Sequence, residues 1–237
     1  QARQYFSGRL TGMAIIIIVL AIGIIFAPSW WAKFVLNRHS TPRPDMPGTG
    51  GELAIHLVKE CGLKDVTVER TETGDHYDPL EKVVRLSESN YDGKSLTAIT
   101  VAAHEIGHAI QDHIGYGPLR ARTSLITYAQ FAERFGAGVL IALPLITLLT
   151  RTPVAGAMTF AAGLTILLVP VLVHLVTLPV EFDASFNRAL PILDKRYLKP
   201  EEMPAARSIL KACAFTYVAA SLATLLNVWR WIAILRR

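Results

Sequence analysis

Cysteine is scarce in this chain, whose 237 residues include only Cys61 and Cys213. The two positions are far apart and fit neither a disulfide framework nor a thiolate metal site. Charged residues are also few, at 18% of the chain, against 51% hydrophobic residues. The net charge of +5 is not gathered in a basic run with interleaved aromatic residues. We therefore expect no nucleic-acid partner.

Long apolar runs accompany this low content of charge. The first extends from Leu10 to Ala27 without a charged residue, which is long enough to cross a bilayer. Trp30, Trp31 and Lys33 follow it, as is typical of the interface end of a membrane helix. A transmembrane anchor within residues 1–36 is the favoured interpretation, and a cleaved signal peptide is the alternative.

Three more apolar runs lie in the second half of the chain. Residues 135–178 contain two of them and predict a transmembrane hairpin, with a re-entrant hairpin as the alternative. The last run, from Ala212 to Val228, predicts a final span within residues 212–237. The sequence thus predicts a mainly α membrane protein with about four transmembrane helices and the lipid bilayer as a partner. Basic residues near the spans favour a cytoplasmic position for the polar segments.

The polar segment 37–134 carries the candidate site. Glu52 to Cys61 predicts an amphipathic helix. Val66 to Glu69 and Lys82 to Leu86 are short runs rich in β-branched residues, and they predict a small two-stranded β element. Within the second run, Val83 to Leu86 is a candidate edge strand for pairing with an extended peptide substrate. The alternative is that both strands only cover the neighbouring helix.

The pattern His104-Glu105-x-x-His108 lies in a helix predicted to follow the N-cap Ser95 and to end near Ile114. Positions four apart share one face of a helix, so both imidazoles can bind one metal ion. Glu105 lies beside them, where it can reach a metal-bound water without being a ligand. This is the pattern of a zinc hydrolase, with His104 and His108 as Zn²⁺ ligands and Glu105 as catalytic base.

A catalytic zinc ion needs a third protein ligand and an open position for water. Two membrane crossings after His108 would return the chain to the same side of the bilayer at Glu181, which we predict as that ligand. Asp183, two residues on, would face another direction and suits the orientation of a ligand histidine. His174 lies about two turns deeper and is better explained by packing.

Hydrolysis would also need a donor for the oxyanion that forms on the substrate. Tyr217, His76 and Arg188 are the candidates, and an ordinary packing or surface role is the alternative for each. Glu105 would take a proton from water and deliver it to the leaving amine, while zinc polarises the scissile carbonyl.

Several blocks of the sequence resemble those of the YugP-type neutral zinc metallopeptidases of bacterial membranes. The resemblance implies a zincin-like metal helix, with zinc held by His104, His108 and Glu181, and peptide hydrolysis at the bacterial inner membrane. A more distant resemblance to the HtpX-like membrane proteases departs at Ser185, where those proteins carry an acidic residue that Asp183 could replace. The blocks lie between about Gly50 and Leu225: Asp75–Pro79, Val83–Ser87, Ala102–Gln111, Leu178–Ser185 and Thr216–Ala219.

The predicted function is that of an integral-membrane, zinc-dependent endopeptidase that acts on a membrane-associated peptide or protein. A zinc-stabilised membrane scaffold without activity and a peptide-binding chaperone subunit are the alternatives. The predicted multi-pass organisation comprises an anchor, a zinc-binding catalytic segment, a transmembrane hairpin, a third-ligand segment and a C-terminal transmembrane helix, at residues 1–36, 37–134, 135–178, 179–211 and 212–237.

Overall fold

The computed structural model describes residue 23 and residues 26–150 and 152–225. Within the long helices the description covers the backbone alone at residues 131–141, 143–144, 159–160, 163–171, 174 and 217–225. The described residues are mainly helical and contain one small sheet, so the mainly α part of the predicted fold class agrees with the structure.

Two helices precede the sheet. Residues 26–38 form α1, and Gly50–Glu60 forms α2, which starts two residues before the predicted helix. Thr49 and Glu52 build a capping box at the start of α2. The Thr49 hydroxyl accepts a hydrogen bond from the Glu52 amide, and the Glu52 carboxylate accepts one from the Thr49 amide. These bonds satisfy two of the amide groups that a helix leaves free at its first turn.

The sheet has three strands where the sequence predicts two. They are β1 (Thr67–Thr71), β2 (His76–Asp78) and β3 (Val83–Ser87), in the order β1-β3-β2. β1 is parallel to β3, and β2 is antiparallel to it. The predicted strands correspond to β1 and β3. β2 has only three residues between Gly74 and Pro79, so its neighbours predict a turn rather than a strand.

β3 is the central strand, and this overturns its predicted role as an edge that pairs with substrate. β1 pairs with β3 over Val83 to Ser87, and β2 pairs with it over Val83 to Arg85. A strand has two hydrogen-bonding edges, and here the sheet itself uses both of them. The outer edges of this sheet belong to β1 and β2.

The helix with the two histidines lies in the core. After the short α3 (Glu88–Tyr91), α4 extends over Leu96–His113. The Ser95 hydroxyl accepts from the Ala98 amide, which confirms the predicted N-cap, and the C-cap is Ile114, as the sequence predicts. Every residue from Leu96 to Ala109 is buried, so the core surrounds this helix on all sides.

The second half of the chain forms a long helical hairpin and then returns to α4. A π-helical turn follows the hairpin directly, and the last helix packs against both α4 and the hairpin. The elements are α5 (Gly117–Thr150), α6 (Pro153–Phe182), the π-helical turn (Asp183–Ala189), α7 (Leu190–Arg196), a 3₁₀ turn (Pro200–Glu202) and α8 (Met203–Leu225).

No helix within the described residues is both long enough and apolar enough to cross a membrane. The predictions of about four transmembrane helices and of a multi-pass membrane protein with a cytoplasmic active site are therefore wrong. A span needs about 20 consecutive apolar residues. The first half of α5 carries charged residues instead, and the end of α6 buries Glu181 against protein. The charged residues of α5 are Arg120, Arg122, Glu133 and Arg134.

Two of the predicted spans lie partly beyond the description. The run from Leu10 to Ala27 falls almost wholly on residues that the structure leaves out, and the run from Ala212 to Val228 extends past residue 225. Trp30 and Trp31 of α1, which follow the first run, are described, and their side chains are exposed.

Candidate metal centre

α4 presents His104 and His108 one helical turn apart. Both side chains are buried, and their ring centroids lie 4.8 Å apart with the planes at 78°. Gly107 lies between them, where an added Cβ would stand 2.6 Å from the Ala184 carbonyl oxygen. Glycine at this position lets α4 approach the π-helical turn at backbone contact. The two imidazoles therefore meet the segment that follows α6.

Glu181, near the end of α6, completes a compact cluster with the two histidines. Its Oε2 atom lies 3.2 Å from Nε2 of His104 and 3.3 Å from Nε2 of His108. Three ligands that surround a tetrahedral zinc ion at about 2 Å are roughly 3.3 Å from one another. The spacing of the three side chains thus fits a zinc ion, and the cluster is compatible with metal binding.

The tautomer of His108 follows from its contact with Gln111. The Gln111 amide nitrogen donates to the Val180 carbonyl and to Asp183 Oδ2, both at 2.8 Å. The amide oxygen therefore faces Nδ1 of His108 at 3.0 Å and can only accept. His108 must carry a proton on Nδ1, which leaves the lone pair of its neutral form on Nε2, the atom that faces Glu181.

Ser185 has the same effect on His104. Its hydroxyl lies 3.3 Å from the Leu210 carbonyl, to which it donates, and 3.1 Å from Nδ1 of His104. The Ser185 oxygen then accepts the Nδ1 proton, and the lone pair of neutral His104 also lies on Nε2. Two nitrogen lone pairs and a carboxylate oxygen at 3.2–3.3 Å repel one another unless a cation lies between them.

The π-helical turn brings both supporting side chains toward α4. Asp183 and Ser185 are two residues apart and would diverge on a regular α-helix, yet both are buried on the side of the histidines. A π-helical turn contains extra residues per turn and so changes the direction of the side chains, and such turns are frequent at functional sites. The Leu190 amide donates to the Ser185 carbonyl, five residues back, at its end.

Arg122 of α5 binds the second carboxylate oxygen of Glu181. Its guanidinium donates to Oε1 at 3.1 Å, while Oε2 faces the histidines. When protons take the position between these atoms, burial would raise the pKa of Glu181, but the charge of His108 and hydrogen bonds from His104 and His108 hold that pKa well below its usual range. Glu181 is thus a carboxylate with one oxygen bound by Arg122 and the other directed at the two imidazoles.

Glu105 lies on the neighbouring side of α4 and is 6% exposed. It lines a cavity of about 490 Å³, the Glu105 cavity, together with His104. Burial raises the pKa of Glu105 to about 7, and the charges of Glu181 and Asp75 act in the same direction while His104 opposes them. A carboxyl group with a pKa near neutrality can both accept and donate a proton at physiological pH.

The remaining predicted site residues lie at different distances from this cluster. Asp183 supports His108 through Gln111 and does not contact an imidazole itself. Arg188 donates to Asp183 at 3.2 Å, behind the cluster. His76 lies on β2 and lines a second cavity of about 300 Å³, the His108 cavity, together with His108 and Arg122. The side chain of Tyr217 lies outside the described residues.

The sequence analysis did not predict a functional role for three residues that contact His104, His108 or Glu181. Gln111 lies three positions after His108, on the same helix face, and this spacing could have indicated its role. Ser185 was noted only as a departure from a related pattern, because the π-helical turn that directs it has no recognised sequence signal. Arg122 comes from another helix, and only the tertiary structure brings it to Glu181.

A family model described as "Putative neutral zinc metallopeptidase" matches residues 14–236 of this chain. The chain belongs to this family of zinc metallopeptidases. It is also 36% identical over 228 residues to "Putative membrane protease YugP" of Bacillus subtilis (strain 168), an alignment that covers 93% of this chain and 95% of that protein. The resemblance to YugP-type zinc metallopeptidases is thus confirmed. No solved structure matches the chain.

Membership of the zinc metallopeptidase family gives the cluster a chemical meaning. The family names zinc as the ion and peptides or proteins as the substrate class, and His104, His108 and Glu181 form a group that could hold a metal.

Proposed function

We propose that this protein is a zinc-dependent endopeptidase, with zinc bound by His104, His108 and Glu181. The observation that carries the proposal is the spacing of the two Nε2 atoms and the Glu181 Oε2 atom, at 3.2 and 3.3 Å. Gln111 and Ser185 support it, because they leave both lone pairs directed at the same point. Two imidazoles and one carboxylate leave a position for water, as in catalytic zinc sites.

The bound zinc ion would polarise the scissile carbonyl and make water more acidic. Glu105 accepts the proton of that water as its oxygen bonds to the carbonyl carbon. Glu105 then returns the proton to the amide nitrogen as the carbon–nitrogen bond breaks, so one proton and one water are accounted for. The burial of Glu105 beside His104 supports this role.

Arg122 and the supporting residues would act by position. Arg122 holds Glu181 so that a single oxygen is available to the metal. Of the predicted oxyanion donors, His76 is the best supported, because it lines the His108 cavity beside the cluster. Its Nδ1 donates to the Gly74 carbonyl at 2.8 Å, so Nε2 is the atom left to face the substrate oxyanion and would need a proton of its own to donate to it.

The test is a comparison of the wild-type protein with Glu105→Gln. We expect both to bind one zinc ion per chain, measured by elemental analysis, because Glu105 is not a ligand. Cleavage of an unfolded protein substrate should fall at least about a hundredfold in the variant. Glu72→Gln, the same change at an exposed position, is the matched control and should cleave as the wild type does.

Other results would contradict specific parts of the proposal. Normal cleavage by Glu105→Gln would exclude Glu105 as general base. Zinc that stays bound in His104→Ala and in His108→Ala would exclude the metal site. Stoichiometric zinc in a wild-type protein that cleaves none of the substrates would instead favour a zinc-stabilised scaffold.

A further inference from the structure

Among the described residues, the charged side chains that line the Glu105 cavity include carboxylates but no lysine or arginine. It extends from His104 past the end of β3 and α3 to α8, and its volume of about 490 Å³ is within the range of ligand pockets. Two carboxylates, Asp75 and Glu105, line it, and no lysine or arginine is present among its described lining residues. Hydroxyl and amide groups provide most of the other polar surface, from Asn37, Ser40, Ser87, Ser89, Asn90, Thr97 and Thr216.

Asp75 is held rigidly at this cavity. Its Oδ1 atom accepts from the Ser87 amide at 2.7 Å and from the Ser87 hydroxyl at 2.9 Å, while Oδ2 accepts from the Asn90 side chain at 2.8 Å. An ionised carboxylate has about four acceptor positions, so three bonds leave room for one more donor. Asp75 is therefore an oriented negative charge with spare capacity inside the cavity.

Glu105 adds a second observation that indicates a ligand. Its carboxyl group is more than nine-tenths buried, lines the same cavity and has no hydrogen-bond partner among the described residues. Its oxygens are accessible from the cavity, so a ligand or water there can complete their hydrogen bonds. The cavity thus joins the reacting groups at one end to the fixed Asp75 carboxylate.

We propose that the Glu105 cavity is a substrate subsite for a cationic group, with Asp75 as its counter-charge. The group is an alkylammonium or guanidinium, supplied by a lysine or arginine side chain or by a free α-amino terminus near the scissile bond. The assignment of the cavity to substrate rests on the proposed function. A neutral or acidic group in this position would leave Asp75 without its partner, and an acidic group would also be repelled by it.

The opposite side of the cluster has a different character. The His108 cavity is lined by one cation and one carboxylate, Arg122 and Asp78, together with His76 and apolar side chains. Arg122 pairs with Glu181 and Asp78 pairs with Arg85, whereas both carboxylates of the Glu105 cavity lack a lysine or arginine among its described lining residues. This difference in charge gives a peptide that crosses the cluster a preferred direction.

The test uses quenched fluorescent peptides that differ at one position, which is lysine, norleucine or glutamate. Norleucine has the length of lysine without its charge. With the zinc-loaded wild type, kcat/KM for lysine should exceed that for norleucine by about tenfold to a hundredfold, the size of one hydrogen bond to a charged group. Asp75→Asn should reduce this ratio to about one. Each peptide is tested with a free and an acetylated N-terminus, which distinguishes the α-ammonium from the side chain as the cation.

Two further variants separate charge from folding. Ser89→Lys places a positive charge at the cavity from an exposed residue and should also abolish the lysine preference. Asp92→Asn makes the same charge change as Asp75→Asn outside the cavity, at an exposed residue that pairs with Arg70, and should keep the wild-type ratio. Equal rates for lysine and norleucine in the wild type, or a ratio that Asp75→Asn and Ser89→Lys leave unchanged, would overturn the proposal.

Binding measurements distinguish this proposal from the proposed function. Fluorescence anisotropy of the same peptides is measured on zinc-loaded Glu105→Gln and on Glu105→Gln with Asp75→Asn. Lysine-selective binding that requires Asp75, in a chain whose wild type cleaves none of the peptides, supports the subsite and overturns the peptidase. Cleavage by the wild type without lysine-selective binding supports the peptidase and overturns the subsite.

Discussion

Gln111 decides which nitrogen of His108 faces Glu181. Its amide group donates to Val180 and Asp183 and accepts from His108, so three groups on three parts of the chain share one side chain. A buried hydrogen-bond network of this kind is stable only when every donor and acceptor in it has a partner. At the scale of single residues, the orientation of His108 thus depends on an amide outside the cluster of His104, His108 and Glu181.

The first prediction concerns this amide. Gln111→Met keeps the side-chain length but removes the acceptor for His108, so the imidazole is free to take the other tautomer. We expect zinc affinity to fall about tenfold to a hundredfold, measured by competition with a chromophoric chelator. Gln130→Met, at an exposed position of α5, is the matched control and should bind zinc as the wild type does. An unchanged zinc affinity in Gln111→Met would contradict the assigned role.

Arg122 shows how a fully buried carboxylate is tolerated. Glu181 is 0% exposed, and an ionised group in such a place is costly unless charges and hydrogen bonds compensate it. Arg122 donates to one oxygen, and the Nε2 atoms of His104 and His108 face the other. The apolar end of α6 can therefore carry a charged side chain into the core.

At the scale of elements, the contact between α4 and the π-helical turn sets the distances between Glu181 and the two imidazoles. The backbone of Ala184 lies where a side chain at position 107 would be, so only glycine fits there. The same turn carries Asp183 and Ser185. Since neither backbone can move without shifting a ligand or its support, this contact is the element-level determinant of the site.

The second prediction tests that contact. The Cβ of Gly107→Ala would stand 2.6 Å from a carbonyl oxygen, so α4 and the turn must separate. We expect a loss of about 1–3 kcal/mol in the free energy of unfolding, as for other overpacked cores, and weaker zinc binding. Urea denaturation and chelator competition measure the two effects.

Gly156→Ala is the control for helix propensity. An added Cβ at Gly156 in α6 has nothing within 4 Å, so alanine should stabilise the helix by about 0.5–1 kcal/mol and leave zinc binding unchanged. If Gly107→Ala and Gly156→Ala changed the free energy of unfolding and zinc binding equally, the space at Gly107 would not be limiting.

At the scale of the whole molecule, the buried Glu105 links stability to pH. Its pKa is about 7 in the folded chain against 4.5 for the free group, so the folded state holds this proton more tightly than the unfolded state does. The stability associated with it is fully present below about pH 4.5 and is lost as the pH rises through 7. At a pH above both pKa values, the loss in the free energy of unfolding reaches about 3 kcal/mol.

The third prediction follows for the zinc-free protein in the presence of a chelator. Glu105→Gln removes the titration, so the variant should be more stable than the wild type by about 3 kcal/mol at pH 8 and nearly equal to it at pH 4.5. Urea denaturation at the two pH values measures the difference. Glu72→Gln should show no such dependence on pH, and a constant difference between Glu105→Gln and the wild type would contradict the shifted pKa.

The strongest sequence predictions were those that depend on local spacing. The α4 helix, its Ser95 cap, its end near Ile114 and the shared face of His104 and His108 follow from residues within one helix. Glu181 was found through an argument about membrane crossings that the structure contradicts. Its position beside the histidines has a simpler cause, since a helical hairpin returns the chain to its starting level in any surroundings.

The sequence by itself determined the family, the helical character of the chain and the local geometry of the two histidines, because these depend on composition, on motif blocks and on the period of a helix. Tertiary structure alone decided the rest. It made β3 a central strand, brought Arg122 to Glu181, and turned Asp183 and Ser185 toward α4 through a π-helical turn. The contacts of Arg122, Asp183 and Ser185 join residues from 59 to 81 positions apart, and only the packed core brings such residues together.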